Sequence, residues 1–381
     1  MYNFPMVDLA GQYKAIQEEI DNGILQVLKN TQYINGPQVA EFKTNLEKYL
    51  GVKHVIPCAN GTDALQLALM ALDLKPGDEV IAPSFTFVAT AEVIALLGLT
   101  PILVDVDPKT FCLDIAEVEK VITPKTKAIV PVHLFGHSAE MEPLLALAKK
   151  HKIFVVEDNA QAIGGDYTFS DGKKVKTGTM GEFGCTSFFP SKNLGCYGDG
   201  GALFTNDDEL ANKARIMANH GMETRYYHDY VGINSRLDTI QAVVLNAKLK
   251  HLDQYGAARQ KAAQLYSDKL SAMGKFQVPF IADYSTHVFH QYTVVAESQE
   301  LRDNIISHLQ SKGISCAVYY PVPLHKQVAY KSEQQLVQRL ESQMKLYTTT
   351  TIHLFDSRVF HRHGQPTTTS HSSNHFFKVQ A

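Results

Sequence analysis

A single lysine, Lys192, lies in the run SFFPSKNLGCYGDGG, between an aromatic and serine segment and a cluster of glycines. An amine that gives up its proton attacks a carbonyl and forms an imine, provided its neighbours favour that chemistry. Ser187, at the end of the β-like CTSFF, offers a hydroxyl to a phosphate, and the glycines after Lys192 let a planar ligand approach the backbone. Upstream, VIPC is followed by Ala59-Asn60-Gly61-Thr62-Asp63 and a helical pattern. A glycine and a small hydroxyl residue at a helix start leave backbone N–H groups and the positive dipole end facing an anion. Asp158, at the end of IFVVED, suits a carboxylate that keeps a proton on a heteroaromatic nitrogen. Singly, each has a plainer reading: Lys192 as a surface cation, Thr62 or Asp63 as an N-cap, Asp158 as a helix cap. Together, an imine-forming lysine, an acidic partner for a ring nitrogen and a phosphate nest are what a pyridoxal 5'-phosphate site requires.

Such residues need rigid elements behind them. Two amphipathic segments, YKAIQEEIDNGILQVLK and PQVAEFKTNLEKYLG, open the chain, and from HVIPCAN onward short apolar runs alternate with helical stretches as far as IFVVEDNA. Runs such as AIVPV and IFVVE are apolar at successive positions, as in strands covered on both faces, and the spacers suit βαβ crossovers. The expected fold is α/β, with a mostly parallel, doubly wound sheet whose ligands bind beyond the carboxyl ends of its strands. A long helical pattern from Leu237 to about Met273, interrupted only by Gly256, is expected to bridge two domains. Strand HQYTVVAES, helix ELRDNIISHLQSKG and strand SCAVYYP then suggest a smaller α+β domain. The expected division is 1–250, 251–345 and a tail over 346–381.

Composition narrows the class. The 381 residues carry a formal net charge of -3 and 45% hydrophobic residues, so there are cores to fill and no global cationic field for nucleic acid or an anionic membrane. MYNFPMVDLAGQYKAI lacks the basic start and apolar centre of a signal peptide, and no apolar run approaches the roughly 20 residues that cross a bilayer, so the cytoplasm is the expected compartment. Cys58, Cys112, Cys185, Cys196 and Cys316 are odd in number and lack a CxxC, which reads as small buried or half-buried hydrophobes and not as a disulfide or zinc framework. From about Tyr347 the chain turns rich in Thr, Ser and His, with His353, His361, His363, His371 and His375. A metal-binding tail is the sharper reading of that composition and an unstructured tail the plainer one; no metal site is expected.

The ordered set CANGTDALQLALMAL, APSFTFVATAEVIALLG, VEDNAQAIGG, TSFFPSKNLGCYGDGGALFTNDDELA, GINSRLDTIQA and YYPVPLHKQ resembles the DegT-type nucleotide-sugar aminotransferases, which are fold type I pyridoxal phosphate enzymes. The resemblance covers about Met6 to Tyr330, and its finer likeness, carried by SFFPSKNLGCYGDGG and NSRLDT, is to the UDP-2-acetamido-2-deoxy-ribo-hexuluronate aminotransferases of bacterial O-antigen synthesis.

The resemblance implies that Lys192 attaches the cofactor and shuttles the proton, that Asp158 pairs with the ring nitrogen and that Gln161 bonds the ring hydroxyl. It implies that Phe87 stacks on the ring and that Gly61, Thr62 and Ser187 hold the phosphate. It also implies a homodimer with shared sites, in which Asn234 reaches the phosphate across the subunit boundary and Arg236 meets a sugar carboxylate; a salt bridge from Arg236 to Asp238 or Glu223 is the alternative. Tyr320 and His325 match positions lining the sugar pocket, whereas His133 and His137 read as structural. The implied reaction takes an amino group from L-glutamate to a 3-keto nucleotide sugar. A pyridoxamine-dependent sugar dehydratase, whose lysine is replaced by histidine, and a silent sensor on the same fold are the rivals. The family usually closes its small domain with a motif like LPMHP and a helix; the Thr/Ser/His stretch in its place suggests a shifted reading frame near the gene's end.

Overall fold

The computed structural model describes residues 5–330 together with the backbone of 351–353. Three helices, α1 (Leu9–Ala15), α2 (Gln17–Asn30) and α3 (Pro37–Leu50), lead in; the first amphipathic segment is two helices because the chain breaks at Ile16. α3 starts with Pro37 in its first turn and stops at Gly51, whose φ of 71° suits glycine. The alternating region then runs β1 (His54–Cys58), α4 (Gly61–Ala71), β2 (Glu79–Pro83), α5 (Ala89–Leu96), β3 (Thr100–Val104), α6 (Ile115–Val121), β4 (Thr126–Ile129), α7 (Met141–His151) and β5 (Phe154–Asp158). A hairpin of β6 (Asp166–Thr168) and β7 (Lys174–Lys176) precedes β8 (Phe183–Ser187), β9 (Gly201–Thr205) and α8 (Asp208–Met217).

Seven strands share one sheet in the order β1-β9-β8-β5-β4-β2-β3. β9 pairs antiparallel to both its neighbours and every other pairing within this sheet is parallel, so β9 alone runs against the rest. Alternate side chains of each strand enter separate cores: Ile56, Val80, Ala128, Val156 and Leu203 meet α4, α5 and α8, while Val55, Ile81, Ile129 and Val155 pack on the opposite face. Both faces are therefore covered, which explains the unbroken apolar runs.

The long pattern after Leu237 is two helices, α9 (Thr239–Leu249) and α10 (Leu252–Ser271), separated at Lys250 and His251. Gly256 interrupts nothing; it sits inside α10 with open space where a Cβ would be. Beyond α10, β10 (Phe276–Gln277), β11 (Thr293–Ala296), α11 (Gln299–Ser311) and β12 (Thr351–His353) form a small unit around a three-stranded sheet, β10-β11-β12. The strand expected at SCAVYYP does not form: that stretch makes no ladder and instead carries Tyr319 and Tyr320 toward the main sheet, where they pack against its core. The third strand is supplied by Thr351–His353, from the stretch read as a tail; the remainder of that stretch, with its other four clustered histidines, lies outside the described residues.

Four cysteines are buried and Cys316 is half-buried, all as thiols. No helix among the described residues is long and apolar enough to cross a membrane. The packing of α4 on the sheet gives a direct test: Leu67 is fully buried there, so Leu67→Ala should destabilise the protein by about 2–5 kcal/mol in urea-induced unfolding.

Candidate active site

Because only β9 is reversed, the carboxyl ends of β1, β2, β4, β5 and β8 lie along one edge of the sheet. A cavity of about 610 Å³ opens there, within the size range of small-molecule sites. Lys192, Asp158, Ser187 and Gly61 line it, as do Thr62, Phe87, Gln161 and Tyr320. Eight residues chosen from separate stretches of sequence thus meet at one place.

At the phosphate end, α4 begins at Gly61. Its N-cap is Asn60, whose side chain accepts the Asp63 amide at 2.8 Å; neither Thr62 nor Asp63 is the cap. Asn60 satisfies that third amide and leaves the Gly61 and Thr62 N–H groups directed out of the helix start. A Cβ on Gly61 would fall 2.6 Å from Ser187 Cβ, so the floor of the nest is already filled by backbone and by that serine. Ser187 Oγ accepts the Phe189 amide at 3.3 Å and keeps its own proton to donate.

The carboxylate of Asp158 is buried at the end of β5 and accepts from the Thr90 hydroxyl at 2.8 Å and the Ala160 amide at 3.1 Å. Burial pushes its pKa up, while those hydrogen bonds and the nearby Lys192 and His133 oppose the shift. Gln161 is oriented by its carbonyl oxygen, which accepts the Phe135 amide at 2.7 Å; its NH₂ therefore faces Tyr320, 3.2 Å away, and the cavity. Phe87 is 56% exposed and offers an open aromatic face at the cavity wall.

Lys192 follows β8 in a tight turn, its amide bonded to the Phe189 carbonyl. Burial lowers its pKa from 10.5 to about 8, outweighing the opposing pull of Asp158. At pH 7 about one amine in ten is then neutral, against about one in three thousand for an unperturbed lysine. The turn is fixed on its far side. Asn193 donates to the Val288 carbonyl at 3.1 Å, and Lys248, fully buried on α9, donates to the Gly195 carbonyl at 2.7 Å with its charge 4.4 Å from the Tyr197 ring centroid.

Three expected residues lie elsewhere. Asn234 is exposed and Arg236 half-buried, and neither lines this cavity; among the described residues Arg236 makes no salt bridge to Asp238 or Glu223. Between them Ser235 is anchored: its hydroxyl donates to Asp63 at 2.6 Å and accepts the Ala59 amide at 3.0 Å, so the loop is bolted to the start of α4. His325 also does not line the cavity; it sits in the short turn Leu324–Lys326, held by the Leu324 amide to Ser84. His133 and His137 are structural, as expected. His133 accepts the Ala139 amide on Nδ1 and donates from Nε2 to Glu157 at 2.9 Å, and His137, lowered to about 4 by burial, bridges Ser138 and Ala282.

Sequence reasoning missed His290 and Gln291, which line the cavity. They are presented by a segment clamped at its carbonyls: Arg259 holds Phe289 and His290, and Gln260 holds His287. The HQY stretch looks like ordinary strand, so nothing in its spacing reveals this.

These residues fit pyridoxal phosphate on their own geometry: an N–H nest floored by Ser187, an NH₂ directed by Gln161, a buried carboxylate and an amine of lowered pKa share one cavity. The lysine is directly testable. In cofactor-free protein, acylation of Lys192 followed by mass spectrometry should rise with pH through a midpoint near 8; a midpoint at 10.5 would refute the reading.

Comparison with known proteins bears on the chain as a whole. The profile of the DegT/DnrJ/EryC1/StrS aminotransferase family matches residues 14–356. A relative from Pseudomonas aeruginosa, a UDP-2-acetamido-2-deoxy-3-oxo-D-glucuronate aminotransferase, is 48% identical over 86% of this chain and 89% of its own. A Geobacillus stearothermophilus relative described as a pleiotropic regulatory protein is 47% identical over 87% of each chain. The solved structure of NtdA from Bacillus subtilis with bound cofactor PMP superposes with a TM-score of 0.84 at 31% identity, covering 94% of this chain and 82% of that one. With a match that spans nearly every element around the cavity, the chain belongs to the DegT/DnrJ/EryC1/StrS aminotransferase family, fold type I enzymes that work with pyridoxal phosphate.

Proposed function

We propose that this aminotransferase moves the amino group of L-glutamate to the keto carbon of a nucleotide-linked 3-oxo sugar, UDP-2-acetamido-2-deoxy-3-oxo-glucuronate being the favoured acceptor, in the cytoplasmic synthesis of a bacterial surface polysaccharide such as O-antigen. The observation that carries this reading is the 48% identity, over 86% of the chain, to an enzyme of that acceptor, joined to a cavity holding a lysine of lowered pKa beside a buried carboxylate.

When bound, pyridoxal phosphate supplies an aldehyde that takes the amino group and a ring that accepts the electron pair of a broken C–H bond. The chain does the rest. Gly61 and Thr62 amides and the Ser187 hydroxyl hold the phosphate, Phe87 covers the ring and Gln161 Nε2 donates to the ring hydroxyl. Asp158 keeps a proton on the ring nitrogen. Lys192 Nζ, neutral for part of the time, takes a proton from the glutamate Cα and, with the acceptor bound, returns one to the sugar carbon that gains nitrogen. Glutamate leaves as 2-oxoglutarate, and the ketone becomes an amine. Tyr320 and the rim of the cavity meet the sugar; His325 lies outside it and would need a movement of its turn to do so.

A second subunit completes this reading. Asn234 and Arg236 do not line their own cavity, and the stretch of chain before them exposes Tyr226, Tyr227 and Val231, which is what a loop serving a partner's site would have. Arg236, which makes no ion pair among the described residues, is available to a sugar carboxylate.

Two experiments test the proposal. Protein loaded with cofactor should show an absorbance band at the edge of the visible that L-glutamate abolishes and that UDP-2-acetamido-2-deoxy-3-oxo-glucuronate then restores better than dTDP-ketosugars do. A band indifferent to glutamate would favour a regulatory protein, the role named for the Geobacillus relative. For the shared site, mixing inactive Lys192→Ala with weakened Arg236→Ala subunits should yield activity that neither shows alone; no gain on mixing would mean that each site is built within one chain.

A further inference from the structure

Asp158 has little freedom, and what restrains it is specific. Each carboxylate oxygen receives one donor, the Thr90 hydroxyl on Oδ2 at 2.8 Å and the Ala160 N–H on Oδ1 at 3.1 Å. Thr90 lies in the first turn of α5 and is 1% exposed. A helical threonine commonly turns its hydroxyl to a carbonyl of the preceding turn, whereas this one reaches across the sheet edge to a residue 68 positions away. Behind it, Thr86 Oγ1 lies 3.4 Å from Thr90 Oγ1, also buried. A hydroxyl carries one proton. With the Thr90 proton on Asp158, the contact between the threonines is donated by Thr86, and both hydroxyls point the same way, toward the carboxylate. That polarity suits an anion and opposes the desolvation that would neutralise it.

We propose that Thr90 is a positioning residue for transamination: its hydroxyl holds the Asp158 carboxylate ionised and aimed, so that Asp158 can keep a proton on the nitrogen of the cofactor ring. The inference rests on the cofactor site and is independent of which sugar is aminated. The other titratable groups around Asp158 are Lys192 after β8, His133 after β4, Cys185 on β8 and Tyr320 from the stretch after α11. Among the described residues none of these four hydrogen-bonds the carboxylate, so the threonine controls its direction where they supply only field.

The test uses the full chain loaded with ¹⁵N-labelled pyridoxal phosphate, following the ring-nitrogen resonance against pH and the glutamate half-reaction by stopped flow. Thr90→Val removes the hydroxyl at nearly constant shape. Its ring nitrogen should lose its proton at lower pH than in the parent protein, and the half-reaction should slow about 10- to 100-fold with little change in the glutamate concentration needed for half-saturation. Thr90→Ser should restore both. Parent-like nitrogen titration in Thr90→Val overturns the proposal, as does a Thr90→Ser variant as impaired as Thr90→Val. Should Thr90→Val not take up cofactor, Thr90→Ser decides alone: uptake and titration like the parent support the role, and loss of either overturns it.

Discussion

An amine and a carboxylate must share one cavity while the amine stays partly neutral, a state that their mutual attraction opposes. Alone, the pair would settle as ammonium and carboxylate, with no free electron pair for carbonyl chemistry. Burial is what shifts the balance. It lowers Lys192 to about 8 despite Asp158, while hydrogen bonds from Thr90 and Ala160 work against the same desolvation on the carboxylate. The two groups therefore receive opposite treatment from one environment: among the described residues no side chain hydrogen-bonds the lysine's amine, and the aspartate has two donors.

That asymmetry is a property of the sheet. Parallel strands bring the ends of β1, β5 and β8 to one edge and bury both faces, so a side chain at a strand end meets solvent only through the cavity. The reversed β9 lets Gly201 begin beside the nest: a Cβ there would meet the Asn60 carbonyl at 2.3 Å. Beneath, the buried Glu157 accepts amides of Gly178, Met180 and Gly181 and the His133 ring, tying the turn before β8 to the end of β4. The lysine turn has its own anchors in Asn193 and Lys248, so its position does not depend on the cofactor alone.

Much of this was legible in the sequence because the relevant residues follow strand ends, and strand ends in a parallel sheet converge whatever the distance between them in the chain. Lys192, Asp158, Ser187 and Gly61 were found by that rule. The break between α9 and α10 is not legible: the pattern reads as one long helix interrupted only by Gly256, a residue that sits inside α10, while the separation falls at Lys250 and His251. Segment SCAVYYP has the β-branched and aromatic content of a strand, yet no edge among the described residues receives it. Thr90 was hidden because a threonine within FVATAEVI is ordinary helix surface until its hydroxyl finds Asp158. His290 and Gln291 were hidden because their exposure to the cavity depends on Arg259 and Gln260 gripping the backbone from another helix, a contact that no local pattern encodes.

The floor and the rim of the cavity differ in how much change they can absorb. Gly61 against Ser187 leaves no spare volume, whereas Phe87 and Phe189, at 56% and 52% exposure, stand at the opening with room around them. Evolution or a protein engineer seeking a new acceptor would therefore redraw the entrance and leave the foundations alone, which is how one scaffold can diversify its clientele without relearning its chemistry.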